Sequence, residues 1–431
     1  MGEHTWLKWP LLTAAFLFPF TVVSVPDGGS GAYVLPALFG VFLAWPAWRR
    51  LAPEERRVLL AVLAFYLVVL LSLINTENYS LALDKFDRYT RVLLMIPVYV
   101  LIRRVGIVPG RAFLYGCVIA GFTLAAHGWY QVHVQGMSDA AGIYHKIVFG
   151  DAAVEFAAVL VIAMITLARR PWQYAVLGLS AAAALYASVL SVTRSSWLFV
   201  IVFAVALLWW YRRELGRKGW AAVGAGLILV VAVGSIWQPV TIKQGIDRGI
   251  QNLQTYEVKP GAPTSWGIRL NLWHDALLLF AEHPILGTGV GDWDVERNRL
   301  IAAGRARDLP SFGHAHNQYF HSLATTGLLG LTALLVCLFY LPARFFVGAW
   351  HRATTDWGRF YALAGLSVLL GFGVFGVAET WLARMPFANL FGFPLLVLLA
   401  SAAAETSAAA ETGAAVAGRS PATSGTAEPA P

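Results

Sequence analysis

The chain has 431 residues, of which 58% are hydrophobic and only 13% are charged. A soluble domain has about 45–50% apolar and about 25% charged residues, so this composition excludes an ordinary soluble fold and predicts that much apolar surface faces lipid. The formal net charge is +8, which alone would also suit a nucleic-acid-binding protein. The two cysteines, Cys117 and Cys337, lie in apolar runs, so neither a disulfide framework nor a Cys-ligated metal site is predicted.

Twelve apolar segments are candidate membrane-spanning helices, because a crossing takes roughly 20 mostly apolar residues. They lie at residues 9–25, 31–48, 57–75, 89–103, 111–134, 147–168, 171–190, 195–211, 219–237, 322–342, 358–378 and 385–403. The first segment lacks a small-residue cleavage site and leads directly into the second, which predicts an uncleaved span rather than a signal peptide. The predicted fold class is an all-α polytopic membrane protein with about 12 transmembrane helices.

The distribution of basic residues predicts the orientation. With the N-terminus in the cytoplasm, sixteen Lys and Arg residues fall in inner connections and six in short outer connections. The positive-inside rule favours this arrangement, with both termini cytoplasmic. Topology then explains the basic charge, so we expect the lipid bilayer as a partner and no nucleic acid. The six outer residues are Lys85, Arg88, Arg91, Lys146, Arg194 and Arg384.

One long polar stretch interrupts the alternation of spans and short loops. We therefore predict transmembrane helices 1–9 in residues 1–237, a large outer loop in residues 238–321, and helices 10–12 in residues 322–403. Residues 404–431 are rich in Ala, Ser, Thr, Gly and Pro without periodicity, which predicts a disordered cytoplasmic tail. Long loops in compact folds are usually functional or disordered.

The outer loop contains the pattern of an amphipathic helix, so we expect it to be folded. Apolar residues recur at helical spacing, and a polar residue that can act as N-cap precedes them. These residues are Leu270, Trp273, Leu277 and Phe280, with Thr264 or Ser265 as the N-cap.

Two arginines stand out on the outer side. Arg194, next to Trp197 at the junction of spans seven and eight, is either an interfacial anchor or a functional residue, since the positive-inside bias disfavours an outer arginine. Arg269, near the start of the amphipathic helix, is either a solvated surface residue or an anion-binding residue. The second interpretation is supported because a helix N-terminus presents free N–H groups and a guanidinium binds phosphate through two hydrogen bonds.

Residues 283–292 contain a GxGxG run. No strand precedes it, so it is not a dinucleotide-binding fingerprint. We interpret it as a tight turn that ends the amphipathic helix, with glycine supplying the backbone angles.

Three histidines precede span ten: His314, His316 and His321. No Asp, Glu or Cys lies near them in the run, so no metal site is predicted. Polar residues at a helix start would explain His314 and His321, whereas a histidine at the outer surface also suits a general base near neutral pH. We expect His316 to begin the helix, so that only one of His314 and His316 faces the cleft.

Glu379 and Arg384 flank the last outer turn. They form either a local ion pair, which contributes little when exposed, or a functional pair in which Glu379 orients a histidine or an arginine from across the bundle.

The topology places Arg194, Arg269 and His316 on the same outer side. Two arginines and a base at a membrane surface suit a lipid-linked diphosphate, because the arginines can bind the leaving group while the base activates a hydroxyl.

The histidine run resembles a motif of the O-antigen ligase (WaaL) family, part of a superfamily that includes O-antigen polymerases. His316-Asn317, nine residues and then Gly327-Leu328-Leu329-Gly330 fit the family motif H-[NSQ]-x9-G-x-x-G. The helix of Arg269 and the turn after it are similar to the superfamily segment "R…hPllGxGxG". Arg194 with Trp197 is similar to the element R-[GS]-x-W, although serine occupies both intervening positions.

The resemblance implies a periplasm-facing, metal-independent, inverting glycosyltransferase of the bacterial inner membrane, without a cofactor. Its donor would be O-antigen linked to undecaprenyl diphosphate, and its acceptor a sugar hydroxyl of lipid A–core, so that its product is lipopolysaccharide. His316 would be the general base, with Arg194 and Arg269 on the diphosphate. Further candidates for substrate binding are Asn317, His314, Glu379 and Arg384.

Three other functions remain open at this point. An O-antigen polymerase would tend to have a second sizeable outer loop, whereas residues 76–88 form only a short connection. A protein O-oligosaccharyltransferase of the superfamily would usually be longer. A transporter would place its charged sites near the bilayer midplane, where Glu155 is the clearest charged residue of this chain.

Overall fold

The computed structural model describes residues 5–43, 45–213, 265–309 and 312–417, and this part of the chain is helical without strands. The helices in chain order are α1 (Lys8–Thr21), α2 (Gly28–Leu43), α3 (Pro53–Ser72), α4 (Tyr79–Leu93), α5 (Met95–Val105), α6 (Gly110–Trp129), α7 (Lys146–Thr166), α8 (Pro171–Ser191), α9 (Arg194–Tyr211), α10 (Ser265–Glu282), α11 (Trp293–Ala302), α12 (Gln318–Ala333), α13 (Leu341–Arg352), α14 (Asp356–Ala378) and α15 (Met385–Ala417).

Eight helices of the described residues are long and apolar enough to cross a membrane, which confirms the predicted all-α polytopic class. They contain α3, α6, α7, α8, α9, the joined α12 and α13, α14 and α15. A π-helical segment, Leu334–Tyr340, joins α12 to α13. The predicted span at residues 219–237 lies outside the described residues.

Three of the predicted spans form shorter helices. The first and second correspond to α1 and α2, of 14 and 16 residues. The predicted span 89–103 is divided between α4 and α5, which meet at Leu94. Pro97 explains the break, since it has no N–H to donate to the carbonyl of Leu93. Helix α4 begins at Tyr79, so most of the predicted connection 76–88 is helical.

The expectation of a disordered tail from residue 404 is wrong for the described residues, because α15 continues to Ala417. Seven of the fourteen residues 404–417 are alanine, which is the strongest helix former. The helix is also anchored, because Glu405 accepts a hydrogen bond from Thr355 and Ser407 contacts Arg103. Residues 418–431 lie outside the described part.

Helices α7, α14 and α15 form the centre of the bundle. Their most apolar stretches are 83%, 78% and 94% buried, compared with 17% for α9. Small residues allow close packing here: a Cβ on Gly371 of α14 would lie 2.2 Å from Oε2 of Glu155 in α7.

The bundle has two polar ends. Asp356 is the first of the 23 residues of α14 and Glu379 follows the last, which separates them by about 35 Å at 1.5 Å per residue. We call the end with His314, His316 and Glu379 the histidine end. The opposite end contains the ion pairs of Arg169 with Asp356 and of Arg352 with Glu54.

A small helical cap with its own apolar core covers the histidine end. The amphipathic helix is confirmed as α10, but its buried face differs from the expected one, since Leu277 is 46% exposed. The cap core instead consists of Leu272, Ala276, Leu279, Trp293, Leu300, Ala315 and Ala324. In addition, Arg297 of α11 donates to the carboxylate of Asp275 at 2.9 Å, and both side chains are buried.

The glycine-rich turn after α10 packs into a break in α12. Gly287, Gly289 and Gly291 all have positive φ, as predicted for a tight turn. The break is at Gly327, with φ 66° and ψ −167°. A Cβ on Gly287 would lie 2.3 Å from the carbonyl carbon of Thr325, so only glycine allows this approach.

Backbone hydrogen bonds join the two segments. The amide of Gly289 donates to Thr325, and the amide of Leu328 donates to Pro284, at 3.0 and 2.9 Å. The two glycine motifs of the sequence are therefore two halves of one packing contact, which fixes α12 beneath the cap.

Candidate active site

The start of α12 positions the histidines. Asn317 is the N-cap of this helix, and its side-chain oxygen accepts hydrogen bonds from the amides of Tyr319 and Phe320. His316 therefore precedes the helix instead of beginning it, and it has a φ of 51°. Positive φ is uncommon for a residue with a side chain and often marks a functional site.

Three hydrogen bonds attach this segment to the end of α14 and the turn after it. The side-chain amide of Asn317 donates to the carbonyl of Val377 at 3.0 Å, and its backbone amide donates to the hydroxyl of Thr380 at 3.2 Å. Gln318 accepts from the amide of Leu382 at 3.0 Å. The backbone contacts of Asn317 occupy its side chain, which favours a positioning role over direct substrate contact.

The attachment places Glu379 between two histidines. Its Oε1 lies 3.3 Å from Nε2 of His314 and 3.5 Å from Nδ1 of His316. The expectation that only one of these rings faces the site is wrong, because neither residue is helical and the two rings lie edge to face, 4.4 Å apart. Arg384 approaches the other carboxylate oxygen at 3.9 Å.

The electrostatics of this cluster favour a carboxylate beside neutral imidazole. Burial by itself would raise the pKa of Glu379, but His316, His314 and Arg384 outweigh it and lower the pKa to about 2. Burial lowers the pKa of His314 to about 4, against the opposing effect of Glu379. At neutral pH Glu379 is therefore ionised and His314 neutral.

His314, His316 and Glu379 could also hold a metal ion, because one ligand atom from each lies within 4.8 Å of the others. The prediction of no metal rested on the missing carboxylate, which the structure supplies from the end of α14. Zinc binds nitrogen and oxygen at about 2.0–2.2 Å, which suits atoms 3.3 and 3.5 Å apart. Metal independence thus stays a prediction that needs a direct test.

Arg194 is exposed and begins α9, directly after a turn in which Val192 has positive φ. Asp151 of α7 holds residues 192–196, which we call the Arg194 turn. Its buried carboxylate accepts hydrogen bonds from the hydroxyls of Ser195 and Ser196 at 3.2 and 2.6 Å. Gly150 lets the two segments approach, since a Cβ there would lie 2.3 Å from Oγ of Ser191.

Arg269 belongs to the same charged group as Glu379 and Arg194. Burial lowers the pKa of Arg269, the charge of Glu379 opposes this shift, and the charge of Arg194 adds to it. Within the described residues neither arginine has an ion pair or a hydrogen bond from its guanidinium. Two neighbouring guanidinium groups that form no ion pair fit the binding of an anionic substrate group.

A cavity of about 200 Å³ adjoins the cluster, between α4 and the residues before α12. His314, Lys85, Arg88 and Phe312 line it. Lys85 donates to the carbonyl of Gly313 at 3.4 Å, and burial lowers its pKa. His321 also lines the cavity, but its ring packs against Trp293 rather than Glu379.

The sequence interpretation missed three residues near the site: Asp151, Lys85 and Arg88. Asp151 is a carboxylate within an apolar helix, which is costly without a partner, and this signal could have been found. Lys85 and Arg88 were counted as outer basic residues, but only the fold shows that α4 carries them to the histidines.

Fold and site together define a polytopic helical membrane protein with a buried carboxylate–histidine cluster and neighbouring arginines at one end. Residues 179–335 match a family model described as O-Antigen ligase. The match includes Arg194, Arg269 and His316 and confirms the resemblance to the O-antigen ligase superfamily. A Haemophilus influenzae protein described as "Uncharacterized protein" is 25% identical over 355 residues, which cover 78% of this chain and 85% of that protein.

Proposed function

We propose that this protein is an O-antigen ligase, which transfers O-antigen from undecaprenyl diphosphate to a sugar hydroxyl of lipid A–core. The observation that carries this proposal is the position of Glu379 between His314 and His316, with Arg269 and Arg194 in the same electrostatic group. The proposed site is a base next to an anion-binding site, and glycosyl transfer from a diphosphate requires both.

His316 is the proposed general base. With Nδ1 towards the carboxylate of Glu379, its Nε2 is the nitrogen left to accept a proton. Its side chain is 14% exposed, compared with 7% for His314, so His316 is the more accessible ring. Glu379 stabilises the imidazolium that forms when His316 takes the proton of the acceptor hydroxyl.

Arg194 and Arg269 are the proposed ligands of the diphosphate. The acceptor oxygen forms a bond to the anomeric carbon, while the bond from that carbon to the phosphate oxygen breaks. The leaving diphosphate gains negative charge, which the two guanidinium groups stabilise. Attack from the face opposite the leaving group inverts the anomeric centre. Neither a metal nor a cofactor is required.

Two features favour the ligase over its rivals. A polymerase of this superfamily would tend to have a second large loop near residues 76–88, which are mostly the single helix α4. For a transporter, the carboxylates within the bundle would be the relevant site. Asp151 and Glu155 instead contact serines of neighbouring helices, and Asp151 lies at the Arg194 turn.

The proposed location is the bacterial inner membrane, with the histidine end facing the periplasm and both termini in the cytoplasm. Deletion of the gene tests the function. We expect lipid A–core without O-antigen, together with accumulation of full-length lipid-linked polymer. Single repeat units attached to lipid A–core would instead identify a polymerase, and normal lipopolysaccharide would refute both functions.

A further inference from the structure

A second cavity, of about 350 Å³, lies at the end of the bundle opposite the histidines. It is formed by the beginning of α3 and by α13. The segment Gln318–Arg352 separates it from the candidate active site, because His316 precedes this segment and Arg352 is its last residue. The cavity is therefore not part of the proposed catalytic centre.

The charged residues that line the cavity leave an excess of positive charge. Arg57, Arg344 and Arg352 line it together with a single carboxylate, Glu54. Arg352 pairs with Glu54 at 3.4 Å. Among the described residues, Arg57 and Arg344 have no ion pair or hydrogen bond from their exposed guanidinium groups. Two unpaired guanidinium groups beside one arginine–glutamate ion pair suit the binding of a phosphate group.

Apolar side chains line the same cavity, namely Val58, Leu341 and Phe345. Further along α3, Leu60, Leu67 and Leu71 are 50%, 47% and 47% exposed. Their spacing of seven and four residues puts them on one face of the helix, so a ligand with its phosphate at the arginines could extend apolar chains along this face.

We propose that this cavity binds an anionic phospholipid of the surrounding membrane, with its phosphate on Arg57 and Arg344 and its acyl chains along α3. Basic pockets between membrane helices are suited to anionic headgroups. A soluble phosphate would use the arginines but gain nothing from the apolar residues, and a zwitterionic lipid would add a positive headgroup to a positive site. The combination of basic and apolar residues selects an anionic lipid.

The test compares lipid binding to the full-length protein by native mass spectrometry in detergent. The probes are phosphatidylglycerol and phosphatidylcholine with identical acyl chains. We expect one phosphatidylglycerol to be retained in preference to phosphatidylcholine. The double variant Arg57→Gln/Arg344→Gln should lose this preference, with about tenfold weaker binding after the loss of two charge-assisted contacts. Inorganic phosphate should not displace the lipid.

Arg170→Gln is the matched control, because Arg170 is an exposed arginine at the same end outside the cavity. It should bind phosphatidylglycerol like the unmodified protein. Melting temperatures in phosphatidylcholine alone verify folding, and phosphatidylglycerol should raise the melting temperature of the control but not of the double variant. Equal retention of both lipids, displacement by phosphate, or the same loss in Arg170→Gln would overturn the proposal.

Discussion

Nδ1 of His316 lies 3.5 Å from Oε1 of Glu379, although one residue precedes α12 and the other follows α14. The contact depends on Asn317 and Gln318, which attach the start of α12 to the turn containing Glu379. A left-handed backbone at His316 turns its ring towards the carboxylate. The proposed base and its orienting group are thus positioned by the backbone of two helix ends.

The first prediction distinguishes the two histidines. His316→Ala should reduce transfer about 10²–10⁴-fold, the usual contribution of a positioned base, without loss of donor binding. His314→Ala should cost much less, because His314 is the more buried ring. The measurement is in vitro ligation with purified lipid A–core and lipid-linked glycan, with donor binding on the same preparations. A larger loss in His314→Ala would exchange the two roles.

The second prediction concerns the arginines. Lysine keeps the charge but not the planar fork, so Arg194→Lys and Arg269→Lys should each weaken transfer about 10- to 100-fold through lost charge-assisted hydrogen bonds. The loss should be visible as a raised KM for the lipid-linked donor together with a lower kcat, because the guanidinium groups also stabilise the leaving diphosphate. Arg305→Lys is a control, since Arg305 forms an exposed ion pair with Glu282 in the cap. Near-normal transfer by both site variants would refute the proposal that Arg194 and Arg269 bind the diphosphate.

The third prediction assigns Asp151 a positioning role for Arg194. Asp151→Ala leaves the buried hydroxyls of Ser195 and Ser196 without their acceptor, which should cost about 1–3 kcal/mol and raise the KM for the donor. Asp151→Asn keeps an acceptor oxygen and should restore most of the activity. Ser180→Ala is a control, because its hydroxyl donates to Val118 away from this turn. A lower melting temperature with unchanged KM would mean that Asp151 only stabilises the bundle.

The fourth prediction is a loss of stability in acid. The pKa of His314 is lowered to about 4 in the folded protein, so the unfolded chain binds more protons below pH 6.5 and stability falls between pH 6.5 and 4. Glu379, with a pKa of about 2, adds a loss as the pH falls from 4.5 towards 2. Melting temperatures across this range should show both. His314→Gln should remove the upper part and also reduce the lower part, because the charge of protonated His314 helps to lower the pKa of Glu379.

The fifth prediction concerns metal ions. Because the arginines supply the positive charge, EDTA should leave transfer unchanged. Added Zn²⁺ should inhibit, since His314, His316 and Glu379 can bind it and this would remove the free nitrogen of His316. His314→Ala should weaken the inhibition. Loss of transfer with EDTA, restored by a divalent ion, would instead make this cluster a catalytic metal centre.

The sequence by itself determined the all-α membrane class, most of the spans and the glycine-rich turn. These features depend on local properties. A span is recognised by the length of its apolar segment, and the turn at Gly287, Gly289 and Gly291 by the positive φ angles that glycine adopts readily. The helix containing Arg269 was also predictable from its periodicity. Its buried face was not, since the face depends on Trp293 and Ala315 packing against Leu272 and Leu279.

Only the tertiary structure decided how the site residues meet. The sequence shows His314 and His316 without a carboxylate, and Glu379 without a histidine. The side chains meet because Asn317 and Gln318, at the start of α12, form side-chain hydrogen bonds with the backbone at the end of α14 and in the turn after it. The role of Asp151 likewise depends on Gly150, because the absence of a side chain there allows α7 to approach the Arg194 turn. Contacts between distant segments depend on the packing of the whole bundle, and a local pattern of residue types does not specify them.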